Sequence, residues 1–136
     1  CRKGSDAQLM EHLADEMQHA PDRSLIFANF VEFDTLFGHR RDAEGYARAL
    51  EWFDAQIGPI LAESRPDDLV IFTADHGNDP TWRGTDHTRE QVPVLVHGQK
   101  LVQPSVFERT IAFQDVAATV ATHLGVVAQG QGRNFL

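Results

Sequence analysis

The feature that most constrains this chain is an abrupt change of character at Asp75. Leu69-Val70-Ile71-Phe72-Thr73-Ala74 is an apolar run of strand-forming residues, and it stops at Asp75-His76. The fifteen residues from Asp75 to Arg89, DHGNDPTWRGTDHTR, hold three carboxylates, two imidazoles and two guanidiniums. A buried strand that ends on such a block delivers polar groups to the rim of a sheet, where open α/β folds bind their ligands.

The flanking sequence supplies the scaffold. Ser5-Asp6-Ala7-Gln8 fits a helix-start capping box with Gln in place of Glu. Leu9, Met10, Leu13, Ala14 and Met17 follow at helical spacing, which predicts an amphipathic helix over 6–19. His12 and His19 lie seven apart on it and read as solvated surface residues. Leu25 to Val31 is nearly continuous apolar sequence, as expected of a strand covered on both faces. It leads into a polar loop over 32–42. From 43 to 64 the spacing is helical, with Tyr46, Ala49, Leu50, Phe53, Ile57, Ile60 and Leu61 as a core stripe. Asp42 is its expected N-cap, and Pro59 removes one donor near its end.

Strands are expected over 69–74 and 92–98, with Pro93 near the start of the second. Pro104 argues for a connection within 99–113, and a helix over 114–124 ends at Gly125. This order predicts a single α/β domain over 1–136, with a largely parallel sheet flanked by helices. The 25–31, 43–64 and 69–74 elements then form a right-handed βαβ unit.

Composition removes several function classes. Twenty acidic residues against twelve basic ones argue against a nucleic-acid binder, which needs a basic face. An acidic balance still admits an anionic substrate, because a divalent ion inverts the field locally. No apolar run approaches the roughly 20 residues that span a bilayer. The single cysteine, Cys1, makes no internal disulfide, so a soluble cytoplasmic protein is expected. A first residue other than Met points to a sequence that begins inside a longer protein.

If the strands are parallel neighbours, Asp34 after the first and Asp75 and His76 at the end of the second share one sheet edge. Loops can bring His39 and His87 to the same place, giving five candidate ligands. Carboxylates and imidazoles without thiolate suit a divalent ion such as Mn²⁺ or Zn²⁺. More than four such ligands point to a paired site, with ions roughly 3.5–4 Å apart clamping a phosphoryl group. Arg40, Arg41, Arg83 and Arg89 are candidate phosphate contacts. Asp79 and Asp86 read as supporting residues, with Asp86 a candidate acceptor for a ring nitrogen of His87.

The DHGNDPTWRGTDHTRE block and the upstream NFVEFDTLFGHRRDAEGYA stretch, Asn29 to Ala47, together resemble the phosphopentomutase family of the alkaline phosphatase superfamily. Both long motifs stand in the family's order, and Glu32 and Phe37 depart from it at no expected ligand. The resemblance implies an alkaline-phosphatase-like core and two Mn²⁺ ions. Asp34, His39 and His87 are implied as ligands of one ion, with Asp75 and His76 forming part of the second site. It further implies interconversion of ribose or deoxyribose 1-phosphate with the 5-phosphate through a phosphothreonine enzyme. The family's nucleophilic threonine, one further aspartate ligand and a cap domain match no residue here. The chain is therefore expected to be an inactive C-terminal portion whose partner is the rest of the enzyme or a second copy. The alternatives are another two-metal phosphomutase or phosphatase, or a non-catalytic metal-binding module.

Overall fold

The computed structural model describes residues 2–101, 106 and 109–136. The connection expected at Pro104 and the cysteine Cys1 lie outside the described residues. The chain separates into two compact units, Cys1–Ala20 with Leu25–Lys100, and Pro21–Ser24 with Leu101–Leu136.

The first unit opens with helix α1, Asp6–His19. Its start is held by the capping box read from the sequence. The Ser5 hydroxyl accepts from the Gln8 N–H at 3.4 Å, and the Gln8 side chain accepts from the Ser5 N–H at 3.0 Å. The Asp6 N–H donates to Glu32 Oε1, and the Glu32 N–H donates to Asp6 Oδ2, both at 3.3 Å. This reciprocal pair pins the helix start to the segment that enters the candidate site. Helix α1 packs on α2, Ala43–Ala62, and Met10 and Ile57 are the buried apolar residues of this unit.

Helix α2 begins where Asp42 accepts from the Gly45 N–H at 2.8 Å, as expected of its N-cap, and it continues through Pro59. Its Phe53 ring sits within an edge-on aromatic cluster. Phe30 lies 5.1 Å from it, Phe33 6.0 Å and Phe72 6.2 Å, while Phe33 also meets Tyr46 at 5.7 Å. Pairs of this geometry contribute about 0.5–1.5 kcal/mol each beyond their burial. The cluster fastens the 25–31 segment, the turn after it and the first strand onto one helix. The core stripe is narrower than expected, since Leu50 is 51% exposed.

The sheet departs from the sequence expectation. Among the described residues it has two strands, β1 (Val70–Phe72) and β2 (Leu95–His97), and they pair antiparallel with Ile71 opposite Val96. A parallel return needs a crossover of a dozen or more residues, usually a helix. The segment between β1 and β2 contains no helix. It folds back on itself instead, with Gly77 bridging Thr88 antiparallel farther along the same hairpin. The run Leu25 to Val31 forms no regular element and joins no ladder, and Leu25 and Phe27 are 64% and 86% exposed.

The second unit contains helix α3, Phe113–Leu124. Gly125 adopts a left-handed φ of 68°, and the Val126 N–H donates to the Ala121 carbonyl at 2.9 Å. The Gly125 N–H donates to the Thr122 carbonyl, which completes a Schellman-type end. No helix among the described residues is long and apolar enough to cross a membrane.

Candidate metal centre

Asp34 and His39 come from a segment that is a helical turn rather than a loop. Residues Phe33–Gly38 form a π-helical turn, closed where the His39 N–H donates to the Asp34 carbonyl at 2.9 Å. Five residues along an α-helix leave two side chains about 140° apart. The wider π turn stacks them instead, and such turns recur at functional sites. His39 Nε2 consequently lies 3.2 Å from Asp34 Oδ2.

His87 arrives from the hairpin. The Thr88 N–H donates to the Gly77 carbonyl at 3.0 Å, and this antiparallel bridge leaves His76 and His87 as diagonal neighbours on one face of the hairpin. Their rings stack with centroids 3.7 Å apart and planes inclined by 26°. A side chain at Gly77 would be crowded at this crossing, with its Cβ 3.0 Å from the Glu90 nitrogen and 3.1 Å from the Thr88 carbonyl oxygen. His87 Nε2 reaches to 3.5 Å from Asp34 Oδ1, and the His87 and His39 rings lie 4.8 Å apart.

Asp34, His39 and His87 thus each offer one ligand atom, all within 4.8 Å of one another. Two donors bound at about 2.1 Å in a tetrahedral arrangement stand about 3.4 Å apart. The two carboxylate–imidazole separations, 3.2 and 3.5 Å, bracket that value, and a carboxylate with two imidazoles suits a divalent ion. His76 adjoins the triad through its stack on His87. Asp75 projects outward beside it, with a side chain 83% exposed and Oδ1 3.5 Å from His76 Nε2. The five residues singled out in the sequence therefore divide into a gathered triad and an adjacent pair.

Asn78, to which the sequence reading assigned no role, and Arg41, a candidate phosphate contact, organise this region. Asn78 donates through Nδ2 to Asp34 Oδ1 at 2.6 Å. Arg41 reaches across the hairpin head, donating from Nε to the Gly84 carbonyl at 2.5 Å and from Nη2 to the Asp86 carbonyl at 2.5 Å. Its Nη1 donates to Asn78 Oδ1 at 2.7 Å and to the Asp79 carbonyl at 2.6 Å. No pattern of residue types announces an arginine whose partners are mostly backbone carbonyls. The Asp79 carboxylate is held below its ordinary pKa by the Thr81 hydroxyl and backbone N–H, each at 2.7 Å from Oδ1. Burial, then the charge of Asp34, raises the Tyr46 phenol. Among the described residues no hydrogen bond joins the Asp86 carboxylate to His87; the Asp86 contribution is its backbone carbonyl.

Comparison with known proteins agrees with the resemblance carried by the two motifs. A family model described as the metalloenzyme superfamily matches residues 2–128. A phosphopentomutase of Chromohalobacter salexigens is 51% identical over 136 residues, covering 98% of this chain and 32% of the relative. One from Vibrio cholerae is 48% identical over 128 residues, 94% of this chain and 31% of the relative. One from Methylobacterium radiotolerans is 51% identical over 135 residues, 99% and 33% respectively. The chain spans about a third of the length of the curated relatives it matches.

Proposed function

The chain belongs to the metalloenzyme superfamily, and from that premise we propose that it is the metal-holding part of a phosphopentomutase. The enzyme interconverts ribose or deoxyribose 1-phosphate with the 5-phosphate in the cytoplasm. The observation that carries the reading is the convergence of Asp34, His39 and His87, drawn from two motifs separated by α2 and β1, within 4.8 Å. The relatives named phosphopentomutase, alike over nearly the whole chain, support the substrate class.

In this reading Asp34, His39 and His87 hold one Mn²⁺, and Asp75 with His76 supply part of a second site. Ions held by these residues would supply Lewis-acid chemistry, lowering the pKa of an attacking hydroxyl and offsetting charge on the transferring phosphoryl oxygens. Asp34 would contribute the anionic ligand, and His39 and His87 the two imidazole nitrogens. In the same reading the nucleophilic threonine that the family resemblance implies is supplied from outside these 136 residues. The same division accounts for the exposed Leu25–Val31 run, which we read as a strand of a larger, largely parallel sheet completed by that portion.

The test is phosphorus NMR of ribose 1-phosphate incubated with Mn²⁺ and the product of the uninterrupted reading frame that encodes this chain. Ribose 5-phosphate should form without inorganic phosphate, and the 136-residue chain alone should be inactive. Stoichiometric release of phosphate would replace the mutase with a phosphatase. Full activity of the 136-residue chain would overturn the division of labour.

A further inference from the structure

Arg41 is a candidate phosphate contact by sequence, but its surroundings assign it other work. A guanidinium has five N–H donors in a fixed planar fork. Four of them are engaged within the hairpin head, on the carbonyls of Gly84, Asp79 and Asp86 and the amide oxygen of Asn78. The residue holds this position with a backbone φ of 55°, in the left-handed region that non-glycine residues rarely adopt. Such conformations persist where the surroundings over-determine them. The π turn is tied to the same place, since the Arg41 N–H donates to the Gly38 carbonyl at 3.1 Å.

The consequence passes through Asn78. With its Oδ1 fixed by Arg41 at 2.7 Å, the Asn78 amide can present only Nδ2 to Asp34, and it does so at 2.6 Å on Oδ1. That same oxygen faces His87, while Oδ2 faces His39. The chain of contacts therefore sets the rotation of the Asp34 carboxylate between the two imidazoles. Arg41 simultaneously fixes the head of the hairpin that carries His87.

We propose that Arg41, acting through Asn78, is a positioning residue that orients Asp34 and docks the hairpin head so that Asp34, His39 and His87 converge on one ion. This rests on the metal-binding reading above. A lysine cannot replace it, because one ammonium cannot span carbonyls at Gly84, Asp79 and Asp86 together with the Asn78 amide. Groups that orient a metal ligand typically change affinity 10- to 100-fold when removed.

The experiment is a Mn²⁺ titration of the full chain followed by electron paramagnetic resonance, with circular dichroism of each metal-free variant as a fold control. Arg41→Met, Arg41→Lys and Asn78→Ala should each weaken Mn²⁺ binding by about 10- to 100-fold. They should also alter the line pattern of the bound ion, which a purely structural role would leave unchanged. Arg48→Ala, on the exposed face of α2, should bind as the parent does. Should Arg41→Met fail to fold, Asn78→Ala decides alone, since it breaks the link to Asp34 and leaves the Arg41 contacts with the Gly84, Asp79 and Asp86 carbonyls in place. Parent-like affinity and spectrum in Asn78→Ala, with binding abolished in His87→Ala, would overturn the positioning role and leave the metal centre intact. Parent-like binding in His87→Ala and Asp34→Ala as well would overturn the metal centre itself.

Discussion

His39 turns Nδ1 to the backbone carbonyl of Thr85 at 2.5 Å, and that contact decides which ring nitrogen can bind an ion. A carbonyl oxygen only accepts, so Nδ1 is engaged as a donor and Nε2 is the ring nitrogen left to bind an ion. Nε2 is the atom that faces Asp34 at 3.2 Å. The second hydrogen bond of a metal-ligating imidazole ordinarily selects its tautomer in this way. Here the selecting carbonyl belongs to the hairpin head, so the two motifs also meet through His39.

Removing either imidazole should therefore remove the ion. His39→Gln and His87→Ala are each expected to lower Mn²⁺ affinity by more than about 100-fold, beyond the range seen when only a supporting residue is lost. His97→Ala provides the contrast. His97 lies in β2 with Nε2 3.5 Å from the Ser64 hydroxyl, outside the triad. Equilibrium dialysis with Mn²⁺ checks this, and equal losses at all three positions would contradict the assignment.

Asp75 should behave differently from Asp34. Its carboxylate is 83% exposed beside His76, outside the gathered donors. Asp75→Ala should leave the tighter Mn²⁺ affinity within about twofold of the parent, as for sites that share no partner. Asp34→Ala should abolish it. Calorimetric titration distinguishes the two, and a comparable collapse in Asp75→Ala would merge the proposed sites into one.

Gly38 has no space for a side chain. A Cβ there would stand 2.6 Å from Asn78 Nδ2, 2.8 Å from its Cγ and 3.2 Å from the Phe33 carbonyl oxygen. Gly38→Ala should displace Asn78 from Asp34 and destabilise the chain by about 1–3 kcal/mol, the usual cost of overpacking. Urea unfolding measures the loss. Parent-like stability would mean that Asn78 moves aside without cost.

Asp6 gives a pH dependence of determinate sign. Burial, then the charge of Glu32, pushes its carboxyl above the ordinary value of 3.8. The folded state then takes up the proton before the unfolded state as pH falls. The stabilisation appears as pH drops through the raised folded value and is complete below the unfolded one. Asp6→Asn lacks this term. The stability difference, parent minus Asp6→Asn, should therefore move toward the parent between pH 7 and pH 4 in thermal unfolding. A constant difference would show that Asp6 titrates alike in both states.

The elements legible in the sequence are those set by local chemistry. The Ser5–Gln8 capping box, the Asp42 cap and the Gly125 terminus mark helix ends because each satisfies orphan backbone groups within a few residues. The residue types of Asp34, His39 and His87 carried the centre, since carboxylate and imidazole are recognisable as donors wherever they fall. What the sequence concealed depends on longer geometry. The five-residue spacing from Asp34 to His39 matches neither the helical nor the strand period, so the π turn reads as a loop. The direction of β2 depends on a helix-free return, which apolar content does not report. The contacts of Arg41, which read as a candidate phosphate contact, are hidden for the same reason, because backbone carbonyls carry no residue signature.

Anomalous X-ray scattering at the manganese edge shows whether Asp34, His39 and His87 hold one ion. Crystals of the full chain soaked in MnCl₂ should show a peak about 2.0–2.2 Å from an Asp34 carboxylate oxygen, His39 Nε2 and His87 Nε2. A peak coordinated elsewhere, with those three side chains left bonded only to one another, would contradict a shared ion.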